Sequence, residues 1–231
     1  MEVNPLTIRA FRSPRGRVGG LTFLVLSVLV TVGLSACGAP AWTYVADSSA
    51  QAYYKVPYQW HQISQNSLNS AVKAAGGSTD GAWARAFDAN ASPQGSNFLD
   101  GNTSKPFVFS EVGTLPSTVS SELSYNVLRD FMLPVTSDAR TEDAQEGFSL
   151  TGFKSLRDQT ISGKAGVHGV RETFDYTFPN GVSDTFDEVA LTNSDSTQVY
   201  FLLVHCTETC YSQNTSSIDT VMTSFTVGSP T

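Results

Sequence analysis

The densest chemistry in the sequence lies near its end, in His205-Cys206-x-x-x-Cys210. Two thiolates and an imidazole are ligands that suit copper or zinc. In an oxidising compartment the same thiols pair with each other instead. Four residues of strand span about 13 Å, whereas bridged Cα atoms lie within about 7 Å. Pairing therefore requires the chain to turn, and Thr207-Glu208-Thr209 reads as that corner. The leading expectation is a Cys206–Cys210 disulfide. A metal or thiol-redox site built from His205, Cys206 and Cys210 is the alternative.

Other catalytic patterns are thin. Hydrolysis needs a nucleophile held beside a base. The only histidines are His61, His168 and His205, and no Gly-x-Ser-x-Gly turn is present. His168, in Gly166-Val167-His168-Gly169, reads as a residue at the surface start of a strand. Glycoside chemistry needs two carboxylates facing each other. Asp184, Asp187 and Glu188 are close in sequence, but Asp187 and Glu188 point to opposite faces of a strand, so a solvated edge is expected there. Gly76-Gly77 follows a helical pattern rather than a strand, which excludes a phosphate-cradling loop. No cofactor is expected, and an envelope hydrolase ranks last among the readings.

The remaining cysteine, Cys37, has a different setting. Leu21 to Leu34 is an uncharged apolar run of 14 residues, preceded by Arg9, Arg12, Arg15 and Arg17 and followed by Ser35-Ala36-Cys37. That is the layout of an export signal, and it is short of the roughly 20 residues a bilayer span requires. Leu34-Ser35-Ala36-Cys37 resembles the lipobox of bacterial lipoproteins, in which the cysteine sulfur carries a diacylglyceryl group and becomes the mature N-terminus. The resemblance implies cleavage before Cys37, lipidation of Cys37, and a chain held by lipid on the extracytoplasmic face of the membrane. Several acyl chains make such anchoring stable where one gives only marginal binding.

The expected organisation is a signal peptide over residues 1–36, a lipidated cysteine and tether over 37–52, and one domain over 53–231. Cleavage leaves 231 − 36 = 195 residues, enough for one domain with a real core. The removed segment holds four of the 14 basic residues and one of the 21 acidic ones, so the mature chain carries 10 against 20, a net charge near −10. That balance disfavours nucleic acid and anionic headgroups as partners.

The pattern along the chain predicts the elements that must position these groups. Tyr53 to Pro57 reads as a strand. Leu68, Ala71, Val72 and Ala75 have helical spacing and stop at Gly76-Gly77. Strands are predicted at Gly81 to Asp88 and Pro106 to Gly113, joined by a long polar stretch, Ala89 to Lys105, that suits either a binding loop or plain surface. One helix is predicted from Ser117 through Phe131, and a charged exposed segment from Ser137 to Glu146. An antiparallel meander follows: Phe148 to Ile161, Gly166 to Phe178, Ser183 to Thr192 and Thr197 to Cys206. Val199 to Val204 is apolar on both faces, as a central strand should be. A final helix begins at the capping-box spacing Ser216-Ser217-Ile218-Asp219. The fold class is α+β: an antiparallel sheet of about six strands with helices packed on its faces.

Three features together resemble the PsbP/Mog1-like α/β/α sandwich family. They are Tyr54-Lys55-Val56-Pro57-Tyr58-Gln59-Trp60, the run of long antiparallel strands, and the closing helix with Ile218, Val221 and Met222 leading into Ser224-Phe225. The likeness covers Tyr53 to Val227. It implies a non-enzymatic role in binding another macromolecule or assisting assembly, with no functional residue carried over. The Cys-x-x-x-Cys spacing is also similar to that of copper chaperones for respiratory oxidases, which carry it in a thioredoxin-like setting absent here. Trp42, Tyr44, Tyr53, Tyr54, Tyr58 and Trp60 leave a further possibility, an aromatic groove facing glycan or lipid, since aromatic rings combine contact area with a polar handle. The expected partners are thus the membrane, through the lipid on Cys37, and a protein or an envelope glycan or lipid. Nucleic acid is not among them.

Overall fold

The structure is a computed structural model that describes residues 41–101 and 103–228. The signal segment and Cys37 lie outside those residues. Trp42–Asp47 (β1) and Ala52–Pro57 (β2) form a hairpin, in register from Trp42 opposite Pro57 to Asp47 opposite Ala52. Its turn is closed by Asp47 Oδ1, which accepts from the backbone N–H groups of Ser49 and Ala50, each at 2.9 Å. The domain therefore reaches back to Trp42, into the segment expected to be tether. Alternation is masked there because the outward residues Trp42 and Tyr44 are as apolar as the inward Val45, and the hairpin register supplies the pairing.

A short strand, His61–Gln62 (β3), leads into Gln65–Ala74 (α1), capped by Ser64, with Leu68 and Val72 buried. Trp83–Asp88 (β4) and Phe107–Thr114 (β5) follow. The single helix expected from Ser117 to Phe131 is two, Ser117–Glu122 (α2) and Tyr125–Arg129 (α3). Leu123 is extended between them, and the Ser124 side chain accepts from Val127 N–H, so an internal cap outcompetes helix continuation. Ser137–Glu146 (α4) is helical, capped by Thr136 and ended by Gly147 at φ 90°, a left-handed conformation that glycine adopts without a Cβ penalty.

Four long strands come next: Thr151–Ser162 (β6), His168–Thr177 (β7), Ser183–Thr192 (β8) and Gln198–Thr207 (β9). The closing helix, Glu208–Ser224 (α5), starts eight residues before the expected capping box, because the Thr207 side chain accepts from Cys210 N–H directly after the strand. Thr226–Val227 (β10) ends the described chain.

The main sheet has seven antiparallel strands in the order β3-β4-β5-β9-β8-β7-β6, one more than expected. The order of the second, three-stranded sheet is β1-β2-β10. The meander of β6 to β9 is as the sequence predicts, and β9 lies in the interior with Val199 to Cys206 buried. One face of the main sheet packs against α5 and β2 through residues such as Val189, Leu202, Tyr54, Ile218 and Val221. The other packs against α1, α3 and their connections through Phe109, Phe174, Phe186, Phe201, Leu68 and Leu128. Strand alternation assigns each residue to one of these two cores. Among the described residues no helix is long and apolar enough to cross a membrane.

Candidate binding cleft

The α1/α3 side of the main sheet is not fully covered. The end of α1 and four connecting segments leave an apolar cleft of about 630 Å³. Its floor is β5, where Phe109 and Glu111 project to one face because they are two residues apart. One wall is Val72 at the end of α1 with Phe98 and Leu99; the other is Phe131 with Phe148 and Leu150. Phe98 packs 5.0 Å from Phe109, and Phe131 packs 5.0 Å from Phe201, ring centre to ring centre. Glu111 is half-buried, and this burial raises its carboxyl above the usual range. The arrangement is an aromatic slot with a carboxyl group at its edge, which suits recognition of an apolar group carrying a hydrogen-bond donor.

The wall at Phe98 belongs to the long polar stretch Ala89 to Lys105. That stretch is held by Asp88, fully buried at the end of β4, whose carboxylate accepts from Asn90 N, Asn90 Nδ2, Gln94 N and Asn97 Nδ2. A second tie is His205. Its Nδ1 lies 3.2 Å from Asp184 Oδ2, and its Nε2 accepts a long bond from Leu99 N–H at 3.5 Å. Gly101, at φ 67°, lies so close to Phe178 that a Cβ would fall 2.3 Å from the ring, so only glycine fits there. The loop is thus built into the cleft rather than draped over it.

Next to the cleft, under α3, lies a smaller polar hollow of about 490 Å³ lined by Arg129, Asp158 and Glu172. Arg129 Nη2 donates to Asp158 Oδ1 at 2.9 Å, and its Nε sits 3.4 Å from Glu172 Oε1. Glu172 on β7 is directly opposite Glu188 on β8, and both are buried. Among the described residues, Glu172 Oε2 and both oxygens of Glu188 accept no hydrogen bond. Desolvation, reinforced by Asp158, pushes the Glu172 carboxyl up to about 8. Glu188 is raised well above the ordinary range by burial and then by its neighbour Glu172.

The expected sites fall differently. Cys206 and Cys210 lie at disulfide distance, with Cα atoms 5.8 Å apart across the strand-to-helix corner. His205 does not join them. It stacks on Phe186 in the α1/α3 core, whereas Cys206 faces α5, because adjacent strand residues point to opposite faces. The alternative His205, Cys206 and Cys210 ligand set is therefore not assembled. Among the described residues no group of three or more His, Cys, Asp or Glu is arranged to hold a metal. Asp184, Asp187 and Glu188 correct the expected solvated edge: β8 lies between β7 and β9, and all three carboxylates are completely buried. Asp187 and Glu188 do face opposite ways. His168 is half-buried at the start of β7, its Nδ1 2.9 Å from Gly166 O, and His61 is exposed. Tyr54 and Trp60 are core residues, not groove residues.

Glu111, Arg129 and Glu172 escaped the sequence reading. The legible signal was a carboxylate at apolar parity: Glu172 between Val170 and Phe174, Glu188 between Phe186 and Ala190, Glu111 two residues after Phe109. Such a residue is either mispaired in the reading or buried at a cost in solvation.

No protein-family model matches this chain, and no curated protein matches it. Solved structures do. The solution structure of cyanobacterial PsbP from Synechocystis matches with a TM-score of 0.52 at 15% identity, covering 84% of this chain and 96% of that one. The Ran-binding protein Mog1p of Saccharomyces cerevisiae matches with a TM-score of 0.42 at 10% identity, covering 80% and 95%. A Pseudomonas aeruginosa protein of unknown function, described as a putative regulator, matches at 0.39 and 13% identity, covering 83% and 100%. The chain has the PsbP/Mog1-like α+β fold.

Proposed function

We propose that this chain is a lipid-anchored protein of the extracytoplasmic membrane face, cut before Cys37, whose domain binds a protein or envelope component and carries out no reaction. The binding reading rests on the aromatic cleft above β5. Its lining is apolar, its edge carries Glu111, and its walls are fixed by the buried ties of Asp88 and His205. A preformed slot loses little entropy on binding. The anchoring reading rests on the order of basic end, apolar run and Leu34-Ser35-Ala36-Cys37.

A photoreactive side chain tests the cleft in the full chain in its own membrane. Ser149→benzoylphenylalanine places the reactive group on the cleft lining, and Leu156→benzoylphenylalanine places it on the exposed face of β6. A discrete adduct formed from position 149 and absent from position 156 is the expected result. No adduct, or the same adducts from both, removes the cleft as the binding site. Anchoring is read separately: fatty-acid labelling of the wild type that disappears in Cys37→Ser is expected, and labelling that persists overturns it.

A further inference from the structure

Among the described residues the outer face of β1 and β2 is only partly covered: Trp42, Tyr53 and Lys55 are half-buried, and Tyr53 also lines a hollow with Ile161, Val167 and Leu191. Its residue types are unusual for a solvated surface. Alternation directs Ala52, Tyr54 and Val56 inward to the core beneath α5. The same alternation turns Trp42, Tyr44, Tyr53 and Lys55 outward. Tyr44 is 76% exposed and Tyr58, in the turn after β2, is 52% exposed. Lys55 stands opposite Tyr44 in register, and its Nζ lies 4.9 Å from the centre of the Trp42 ring. A Trp, two Tyr and a Lys on one face, with Tyr58 in the turn that follows β2, form the amphipathic set that collects at the headgroup layer of a bilayer, where rings bury and polar tips stay wet. A long ammonium stem can extend in the same way.

The position of this face in the chain selects its occupant. Ala41, the residue before β1, follows Cys37 by four residues, which span at most about 14 Å when fully extended. A domain of about 190 residues has a radius of gyration near 16 Å. A tether shorter than the domain's own radius keeps the nearest face at the lipid surface.

We infer that the outer face of β1 and β2 lies flat on the bilayer, with Trp42, Tyr44 and Tyr53 in the headgroup layer. This inference rests on the lipid anchoring proposed above. The face takes zwitterionic lipid, because the acidic mature chain repels anionic headgroups. Docking of this face leaves the cleft, on the far side of the main sheet from the small sheet and α5, open to a partner.

The test uses the full chain, with its native lipid, reconstituted in phosphatidylcholine vesicles whose acyl chains are brominated close to the headgroup. Two reporters mark the two ends of the face. Trp42 is native; Tyr53→Trp in a Trp42→Phe background lies at the β2 residue opposite Ala46, four residues and about 13 Å further along the strand. With three tryptophans in the chain, docking quenches about one third of the emission in the wild type. It quenches a similar share in the Trp42→Phe, Tyr53→Trp chain and almost none in Trp42→Phe alone. Intact mass on the same samples reports lipidation. A lipidated chain quenched only at position 42 is tethered without lying flat, which overturns the inference and leaves the anchoring intact. A lipidated chain quenched at neither position, with a cross-linked dimer through the outer edge of β1, assigns the face to a second copy and also overturns it. A chain without the acyl mass overturns the anchoring, and the docking falls with it.

Discussion

Asp187 and Glu188 are consecutive on β8 and equally buried, yet they occupy opposite electrostatic situations. Asp187 faces α5, where Arg171 grips it at 3.0 and 2.9 Å, Tyr211 donates at 2.8 Å, and Asp219 holds the second edge of the guanidinium at 3.1 Å. Glu188 faces the α1/α3 side opposite Glu172, and neither of its oxygens has a hydrogen-bond donor among the described residues. One face of the sheet is closed by a 17-residue helix, and its Tyr211 and Asp219 complete the Arg171–Asp187 pair. The other is patched by short helices that leave a cleft and a strained carboxyl pair. Closed, paired surfaces serve stability; under-covered, under-paired surfaces are where binding energy remains available.

The largest expected effect separates the two neighbours directly. Asp187→Ala leaves Arg171 buried without its main partner and should cost about 3–5 kcal/mol. Glu188→Gln removes no partner and should leave stability within about 1 kcal/mol of wild type or raise it. Urea unfolding of the two variants decides this, and equal losses would break the contrast between the faces.

Proton linkage gives the next effect. Glu172 is raised in the fold from 4.5 to about 8, and Glu188 is raised in the same sense. A raised carboxyl favours the protonated native state, so its contribution is complete below pH 4.5 and is lost as pH rises toward 8. The urea midpoint should therefore fall across that window. Glu172→Gln with Glu188→Gln should flatten the slope, whereas Asp187→Asn should not. A slope unchanged in the double variant would refute the assignment to this pair.

Smaller still is the disulfide on the closed face. Cys206 and Cys210 close a loop of only a few residues, so reduction should lower stability by about 2 kcal/mol in the chain-entropy view. Unfolding curves with and without reductant measure it. The smallest change in stability, within about 0.5 kcal/mol, is expected for Ser149→Trp, because Ser149 is an exposed lining residue. The same substitution should abolish retention of the cleft's partner, checked by co-purification beside the wild type.

Much of the fold was legible in strand period and breakers. The predicted strand Ser183 to Thr192 matches β8, and the doubly apolar Val199 to Val204 is the interior of β9. Element ends were less legible wherever a cap decided them: Ser124 splits α2 from α3, and Thr207 starts α5 eight residues early. Most of the cleft lining, Val72, Phe109, Glu111, Phe131 and Phe148 among it, lay within segments the sequence marked out, but nothing in local pattern marked those residues as one site. Glu111 on β5 lines the cleft, whereas Arg129 on α3 and Glu172 on β7 meet in the neighbouring hollow, and both placements depend on sheet order and helix packing, which local pattern does not encode.

Backbone geometry and side-chain polarity over a few residues were enough to set the alternation that sends Asp187 and Glu188 to opposite faces, the interior character of β9, and the antiparallel meander. Long-range packing decides which face is closed, which carboxylates find an arginine, and that His205 ties down the polar loop. Those outcomes depend on contacts such as Arg171 with Asp219, 48 residues apart, and Leu99 with His205, 106 apart. They are fixed when the long-range packing of α5 and the 89–106 segment buries each face in turn.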